Sequence, residues 1–342
     1  MADLRIKLAC VRNDRTSAVL DRQVKLGGVD LDLVEFHDVV RGFTSMYRGE
    51  FDVGEYSTTE LIYFCSRNKS DLVGIPVFPL RSFRHSFVFY NTASNISGPK
   101  SLKGKTIGFG EWVQTAAVWV RGILAEEYGL VPAEMTYRSP AIHHWGSLED
   151  KDEITPRDGS VIEWVDAEGQ NRYEFTDRQL LEGKTDALVF PRAPASMLRG
   201  DKRVKRLFEN YREVEAAYFQ KTKIFPIMHT LVMKRSLAEK HPDLPAKLFE
   251  LFCQAKKIGR ESTKNEWRVD LVWKSAYLEE EDKLFGGDPW AYGLKQNEHV
   301  LEKLLSYCYD QGVAAVKLSP RDLFVPDTWE LEDSNADCKF SR

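Results

Sequence analysis

Two arginines and a histidine stand among aromatic residues in the stretch RSFRHSF, residues 81–87. Guanidinium and imidazole groups lose solvation energy among aromatic rings unless a partner compensates for the loss. Arg81, Arg84 and His85 therefore indicate a site that holds an anion with a flat apolar body. Each residue also has a simpler interpretation, because either arginine could form an internal ion pair and a single histidine often serves as a structural hydrogen-bond partner.

Further candidates lie where predicted strands end, because open α/β sheets bind ligands at the carboxyl ends of their strands. Five segments have this position: GEYSTT (54–59), FPLRSFRHS (78–86), FGEWVQT (109–115), FPRAP (190–194) and DPWAYG (288–293). If two lobes face each other, these segments line one cleft. The substrate-binding residues that we predict from them are Arg81, Glu55, Glu111, Trp112, Gln114, Thr115, Arg192 and Tyr292. Such a mixture suits a planar anion, since guanidinium groups bind carboxylates and aromatic rings cover ring faces.

Three of the polar features have both a structural and a functional interpretation. Gln114 and Thr115 could simply cap a helix, although the free N–H groups of a helix N-terminus also bind anions. His229, in FPIMHT, lies on a predicted crossing between lobes, where its side chain could reach the cleft or belong to the core. His143 and His144 are adjacent and would point to opposite faces of a strand, so they form a poor metal-binding pair.

The composition is typical of a two-domain globular protein. The 342 residues are 43% hydrophobic and 29% charged, and the formal net charge is -4. This charge gives no reason to expect nucleic acid or anionic lipid as a partner. Five scattered cysteines without a CxxC pair favour reduced thiols and a cytoplasmic location over disulfides or a zinc site. No HExxH, GxSxG or P-loop pattern occurs, and we expect neither a signal peptide nor a membrane span.

Alternating strand and helix patterns predict two α/β lobes with helices on both faces of each sheet. Composition shifts near residues 86–104 and 218–232 mark two crossings of the chain between the lobes. We therefore predict one discontinuous lobe from 1–90 plus 225–342 and a second, inserted lobe from 91–224. Residues 149–174 are predicted to be irregular, with a hairpin formed by VIEWV and NRYEF around DAEGQ.

Several of these stretches together resemble the 4,5-dihydroxyphthalate decarboxylase family, over about residues 3–315. The most specific are FRHS and EWVQTAAVWVRG; GEYSTTE, FPIMHTLVMKRS and DPWAYGLKQNEHVLEKLL add to the likeness. The resemblance implies the two-lobed fold of type 2 periplasmic binding proteins, with mixed sheets. It also implies non-oxidative loss of one carboxylate from 4,5-dihydroxyphthalate, giving 3,4-dihydroxybenzoate. The catalytic residues would be His85, Arg84 and His229.

That chemistry asks three things of a protein and requires no cofactor. A general acid must protonate the ring carbon that bears the leaving carboxylate, and we predict His85 for this role. A second group, His229, Glu55 or Tyr292, must take up the phenolic proton or stabilise the oxyanion. Arg84 or Arg81 must hold the carboxylate that stays. The sequence still leaves room for a divalent metal held by His85, His229 and Glu111, and chelation would test it.

Two other classes of function remain open at this stage. The same fold could bind a small aromatic anion for transport or sensing, or it could belong to a synthase related to the pyrimidine-precursor proteins of thiamine biosynthesis. In each case the partner is a small aromatic carboxylate or a related anion. Leu-, Phe- and Tyr-rich helices near the C-terminus could also hide an interface between copies of the chain.

Overall fold

The computed structural model describes residues 4–141, 151–167, 169–265 and 271–334. Its strands are β1 (Leu4–Val11), β2 (Val29–Phe36), β3 (Val53–Ser57), β4 (Leu72–Arg81), β5 (Val88–Asn91), β6 (Thr106–Phe109), β7 (Thr136–Pro140), β8 (Val161–Val165), β9 (Ala187–Val189), β10 (Val204–Arg206) and β11 (Ile227–Lys234). Its helices are α1 (Ser17–Leu20), α2 (Val39–Tyr47), α3 (Thr58–Cys65), α4 (Thr115–Tyr128), α5 (Arg172–Leu181), α6 (Ala195–Leu198), α7 (Tyr211–Thr222), α8 (Arg235–Lys240), α9 (Leu244–Lys264), α10 (Lys274–Phe285) and α11 (Leu294–Asp310). None of these helices has the length and apolar character needed to cross a membrane.

The strands form two mixed sheets. Sheet 1 has the order β2-β1-β3-β11-β4, in which β1 runs parallel to its neighbours and β11 runs antiparallel to β3 and β4. Sheet 2 has the order β10-β5-β9-β6-β7-β8, in which β6 is parallel to β9 and β7 while β5 is antiparallel to β9 and β10. The predicted fold class, two α/β lobes with mixed sheets, is confirmed.

Two passages of the chain connect the sheets. One lies between Arg81 and Val88, and the other lies between Arg206 and Ile227. Sheet 1 therefore takes its strands from residues 4–81 and 227–234, and sheet 2 takes its strands from residues 88–206. The predicted boundaries of the lobes, 1–90 with 225–342 and 91–224, stay a prediction.

Helix α11 joins the two halves of the molecule by packing against α4. The ring of Tyr307 covers Gly122, where a Cβ atom would lie 2.3 Å from the ring, so only glycine permits this close approach. At the end of α11, the Gln311 carbonyl accepts a hydrogen bond from the indole N–H of Trp112 at 3.0 Å. The Gln311 side chain also accepts from Nε of Arg121 at 2.7 Å. These buried contacts fix the loop before α4, which carries several candidate residues.

The predicted hairpin around DAEGQ is wrong. VIEWV forms β8 and pairs in parallel with β7, while NRYEF begins helix α5. Asn171 caps this helix, because its side chain accepts hydrogen bonds from the N–H groups of Tyr173 at 2.9 Å and Glu174 at 3.4 Å. An asparagine cap followed by glutamate three residues later is a helix-start pattern, and the hairpin prediction did not take it into account.

Candidate active site

Helix α3 follows β3 of sheet 1, and helix α4 follows β6 of sheet 2. The N-termini of these two helices lie against each other. The hydroxyl groups of Thr59 and Thr115 lie 2.8 Å apart, and the Thr59 hydroxyl donates to the carbonyl of Val113 at 2.5 Å. Ser57, the cap of α3, lies 3.2 Å from the Thr115 hydroxyl. Each helix N-terminus carries free N–H groups and a partial positive charge. We take the region around these N-termini as the candidate site and call it the cleft, because its positive potential suits an anion.

His229 and Glu55 form a hydrogen-bonded pair in sheet 1 beside this cleft. Nδ1 of His229 lies 2.6 Å from Oε1 of Glu55, and the other Glu55 oxygen accepts the N–H of Val11 at 3.0 Å. The Cα atoms of His229 and Ser57 are register partners on adjacent strands, which brings the histidine to the start of α3. Glu55 is buried, whereas the His229 side chain is 14% exposed. A carboxylate in this position holds the imidazole in one orientation.

Arg84 is a buried cation whose partners among the described residues are uncharged. Its Nε donates to Sδ of Met228 at 3.0 Å, and its Nη1 donates to the carbonyl of Pro191 at 3.1 Å. Burial lowers the pKa of Arg84 to about 10, and the nearby Glu215 and Tyr173 oppose this effect only in part. A guanidinium group in this environment gains strongly from an anionic ligand.

The start of helix α5 contributes an ion pair and an aromatic ring to the cleft. The guanidinium of Arg172 pairs with Glu111, and burial lowers the pKa of Arg172. The hydroxyl of Tyr173 accepts a hydrogen bond from Nε2 of Gln114 at 2.9 Å. The Tyr173 ring meets the Phe190 ring edge to face, with centroids 5.4 Å apart. This group covers the cleft from the side of sheet 2.

His85 lies in an aromatic interior. It is 2% exposed, and the rings of Tyr128, Phe208 and Tyr218 surround it with centroid separations of 6.4, 5.3 and 5.3 Å. Neither ring nitrogen has a hydrogen-bond partner in the described part of the chain. Burial lowers the pKa of His85 to about 4, so the ring is neutral near pH 7. A neutral imidazole in this position favours a packing role, and catalysis by His85 stays a prediction.

Arg81 and Tyr292 belong to a different, internal cluster. The Arg81 guanidinium donates to the carbonyl of Ala291 at 2.9 Å, to the carbonyl of Phe225 at 3.3 Å and to the side chain of Asn297. Tyr292 is fully buried, and burial raises the pKa of its hydroxyl well above the ordinary value. These contacts tie the end of β4 to the start of α11. The guanidinium of Arg81 thus donates its hydrogen bonds to neutral groups of the protein itself.

The remaining predicted residues divide between the cleft and the interior. Trp112 is fully buried and lies under the Arg121 guanidinium at 3.7 Å, so it supports the loop before α4 from inside. Arg192 is exposed, and its guanidinium lies 5.2 Å from the centre of the Tyr173 ring. In the structure Glu55 contacts His229, Glu111 contacts Arg172, Gln114 and Arg192 contact Tyr173, Thr115 contacts Thr59, and Arg84 contacts Pro191. Their contact with a substrate stays a prediction.

Four residues of this cleft escaped the sequence analysis: Ser57, Thr59, Arg172 and Tyr173. The first two lie in GEYSTT, where serine and threonine before an apolar helix give a recognisable capping pattern. Arg172 and Tyr173 were missed because they were assigned to a hairpin strand. The helix-capping pattern at Asn171 is the signal that could have placed them at the start of a helix. His143 and His144 lie outside the described residues.

The described residues contain no group of three or more His, Cys, Asp or Glu side chains that could hold a metal ion. The three residues considered for such a site are engaged separately. His85 packs against aromatic rings, His229 contacts Glu55, and Glu111 contacts Arg172. Independence from a metal or other cofactor stays a prediction.

The fold places the chain in the class of proteins that share the periplasmic-binding-protein architecture. The aliphatic sulphonate binding protein of Escherichia coli superposes with a TM-score of 0.52 at 12% identity, covering 96% of this chain and 99% of that protein. The alkanesulfonate-binding protein of Xanthomonas axonopodis pv. citri, bound to MOPS, gives a TM-score of 0.54 at 14% identity, covering 95% and 98%. Identities this low show the fold alone.

Within that class, the chain belongs to the 4,5-dihydroxyphthalate decarboxylase family. It is 32% identical over 333 residues to the Comamonas testosteroni protein of that name, covering 96% of this chain and 99% of the relative. The Pseudomonas putida protein of the same name is 29% identical over 211 residues, covering 61% of this chain and 79% of the relative. No family model matches the chain. The predicted family is confirmed.

Proposed function

We propose that this protein is a carboxy-lyase that converts 4,5-dihydroxyphthalate to 3,4-dihydroxybenzoate and carbon dioxide without an oxidant. The observation that carries this proposal is the cleft beside the His229–Glu55 pair, bordered by the buried Arg84 and by two helix N-termini. A cation and two partial positive charges suit a dicarboxylate, and an oriented imidazole suits proton transfer. The names of both curated relatives support the choice of substrate.

The reaction exchanges a carboxylate for a proton on the aromatic ring. A proton adds to the ring carbon that bears the carboxylate while the para hydroxyl loses its proton, and a cyclohexadienone results. The carbon–carbon bond to the carboxylate then breaks, carbon dioxide leaves, and the electron pair restores the aromatic ring as the dienone oxygen becomes a phenolate. The phenolate takes up a proton to give the phenol. One proton is consumed overall, and no electrons are exchanged with another molecule.

We assign the delivery of this proton to His229. Its Nδ1 contacts the buried Glu55, which leaves Nε2 as the ring nitrogen that can exchange a proton with a ligand. An imidazole oriented by a carboxylate can act as a general acid, and such proton transfer contributes typically about 10²–10⁴-fold to the rate. The neutral environment of His85 makes it the weaker candidate for this role.

We assign the retained carboxylate to Arg84. A cation that held the leaving carboxylate would stabilise the ground state more than the transition state, because the negative charge leaves that group as carbon dioxide forms. The leaving carboxylate should instead face a poorly solvated, uncharged part of the cleft. The helix N-termini supply positive potential elsewhere in the cleft.

Three broader expectations accompany this proposal. The reaction as written needs no metal or organic cofactor. The scattered, unpaired cysteines favour a cytoplasmic location, and the net charge of -4 gives no support to a nucleic-acid partner. An assembly of several copies of the chain stays a prediction.

The proposal is tested by incubating the purified protein with 4,5-dihydroxyphthalate and measuring carbon dioxide and 3,4-dihydroxybenzoate together. Equal amounts of both products, formed repeatedly by each protein molecule, are expected. Binding of 4,5-dihydroxyphthalate without release of carbon dioxide would instead identify a binding protein and would refute the proposed activity.

A further inference from the structure

We propose that Tyr173 and Gln114 recognise the two adjacent hydroxyl groups of the substrate ring and thereby select catechol-type ligands. This inference rests on the proposed function, but it concerns selection of the ligand and not turnover. This pair has hydrogen-bonding groups that the described residues leave unused.

The Tyr173 ring is held firmly in the cleft. It meets the Phe190 ring edge to face at a centroid separation of 5.4 Å, and the Arg192 guanidinium lies 5.2 Å from its centre. On another side it lies against Gly110, where an added Cβ atom would be 3.0 Å from Cε1 of the tyrosine. The position of the hydroxyl group is therefore determined by packing as well as by its hydrogen bond to Gln114.

The pair offers one hydrogen-bond donor and one acceptor. The Tyr173 hydroxyl accepts from Nε2 of Gln114 at 2.9 Å, which leaves its own O–H free to donate. Oε1 of Gln114 is buried and has no partner among the described residues. An unpaired buried acceptor is costly in a folded protein, and a ligand donor would satisfy it. If the Gln114 amide is turned over, the two roles exchange and one donor and one acceptor remain.

Two adjacent phenolic hydroxyl groups match this arrangement. One can donate to Oε1 of Gln114 while its neighbour accepts from the Tyr173 hydroxyl. A ligand with a single hydroxyl group satisfies only one of the two groups, and a ligand with none leaves both unpaired. Sites of this kind reject analogues that lack the hydroxyl groups, because buried polar groups are then left without partners.

The location of the pair also agrees with the carboxylate site. Phe190 packs on Tyr173, and the next residue, Pro191, accepts the hydrogen bond from Arg84. Arg84 and the Tyr173–Gln114 pair thus border the same cleft at neighbouring points of the chain. A flat ring could place its retained carboxylate at the arginine and its diol at the pair.

The experiment measures binding of unreactive ligands, so that it is independent of catalysis. Isothermal titration calorimetry compares 3,4-dihydroxybenzoate, 4-hydroxybenzoate and benzoate on the unmodified protein and on Tyr173→Phe and Gln114→Leu. Each substitution should weaken binding of 3,4-dihydroxybenzoate about 3–10-fold and leave benzoate binding unchanged. The Gln114 side chain makes no capping hydrogen bond to α4, so its replacement does not remove a helix cap. Tyr277→Phe, at an exposed tyrosine, is the matched control.

A third variant moves the ring without removing a polar group. Gly110→Ala should displace Tyr173 and reduce the preference for 3,4-dihydroxybenzoate over benzoate, as Tyr173→Phe does. The inference is overturned if the unmodified protein has no such preference, or if Tyr173→Phe and Gln114→Leu both keep it. If the unmodified protein releases carbon dioxide from 4,5-dihydroxyphthalate but the variants keep its preference for 3,4-dihydroxybenzoate over benzoate, only the inference is refuted. If the variants lose that preference but the unmodified protein releases no carbon dioxide, only the proposed activity is refuted.

Discussion

Replacement of Arg84 by methionine should weaken ligand binding without weakening the fold. Burial lowers the pKa of Arg84 to about 10, which is more than two units below its ordinary value. At about 1.4 kcal/mol per pKa unit, the charged side chain costs the folded protein roughly 3 kcal/mol, and this cost is fully present below pH 10. Arg84→Met removes the cost but leaves the Pro191 carbonyl without its donor, a loss of about 1–3 kcal/mol. The free energy of unfolding should therefore stay the same or rise by up to about 2 kcal/mol.

The same substitution should have a large effect on carboxylate binding. Two charge-assisted hydrogen bonds, at about 1.5–3 kcal/mol each, correspond to an affinity loss of about 10²–10⁴-fold for 3,4-dihydroxybenzoate. Calorimetric titration measures this loss, and urea unfolding of the free protein measures stability. If the buried cation serves the ligand, its removal should weaken ligand binding and leave the free energy of unfolding unchanged or higher.

Arg81→Met is the matched control, because burial lowers the pKa of Arg81 to about 10 as well. Arg81 donates to Ala291, Phe225 and Asn297, so its loss leaves three acceptors unpaired at about 1–3 kcal/mol each and removes a burial cost of roughly 3 kcal/mol. The free energy of unfolding should therefore fall, by up to about 6 kcal/mol. Ligand binding at 25 °C should change little in the folded fraction. If Arg84→Met destabilises the protein more than Arg81→Met while binding is kept, the assignment of Arg84 to the ligand is refuted.

Three further outcomes follow from the site. Glu55→Gln should lower kcat about 10–100-fold and leave KM within about threefold in steady-state assays, because His229 loses the carboxylate that orients it. The control Glu50→Gln, at an exposed glutamate, should match the unmodified protein. Equal kinetics for the two variants would contradict the orienting role of Glu55. Burial lowers the pKa of His85 to about 4, so the free energy of unfolding should fall by up to roughly 3 kcal/mol as the pH decreases from about 6.5 towards 4. Urea unfolding at several pH values should show a smaller decline for His85→Phe. The control His37→Gln, at an exposed histidine, should keep the full decline. Dialysis against EDTA should leave the rate of carbon dioxide release within about twofold, and a loss that added metal restores would disprove the cofactor-free route.

The sequence predicted the class of fold well because its strand and helix patterns are strong. The alternating β-α-β order and the crossings between sheets are read directly from periodicity and composition. Helix α5 shows where this approach fails, since NRYEF was predicted as the second strand of a hairpin although Asn171 caps a helix there. The hydrogen bonds of the cap decide between helix and strand at this short segment.

The candidate site was predictable as a set of segments and not residue by residue. RSFRHSF is predicted to act as one unit, yet its two arginines and its histidine have different surroundings. Arg81 enters a polar cluster of sheet 1, Arg84 borders the cleft, and His85 lies among aromatic rings. The direction of each side chain depends on where β4 ends and on the tight turn His85–Phe87. Sequence spacing gives no access to that detail.

The central claim is that His229, held by Glu55 beside the carboxylate site, delivers the proton that replaces carbon dioxide. The most direct test is the single-turnover rate of carbon dioxide release from 4,5-dihydroxyphthalate by His229→Gln and by His85→Phe. We predict a loss of about 10²–10⁴-fold for His229→Gln with ligand binding retained, and a rate within about threefold of the unmodified protein for His85→Phe. The opposite result, with His229→Gln active and folded His85→Phe inactive, would contradict the account.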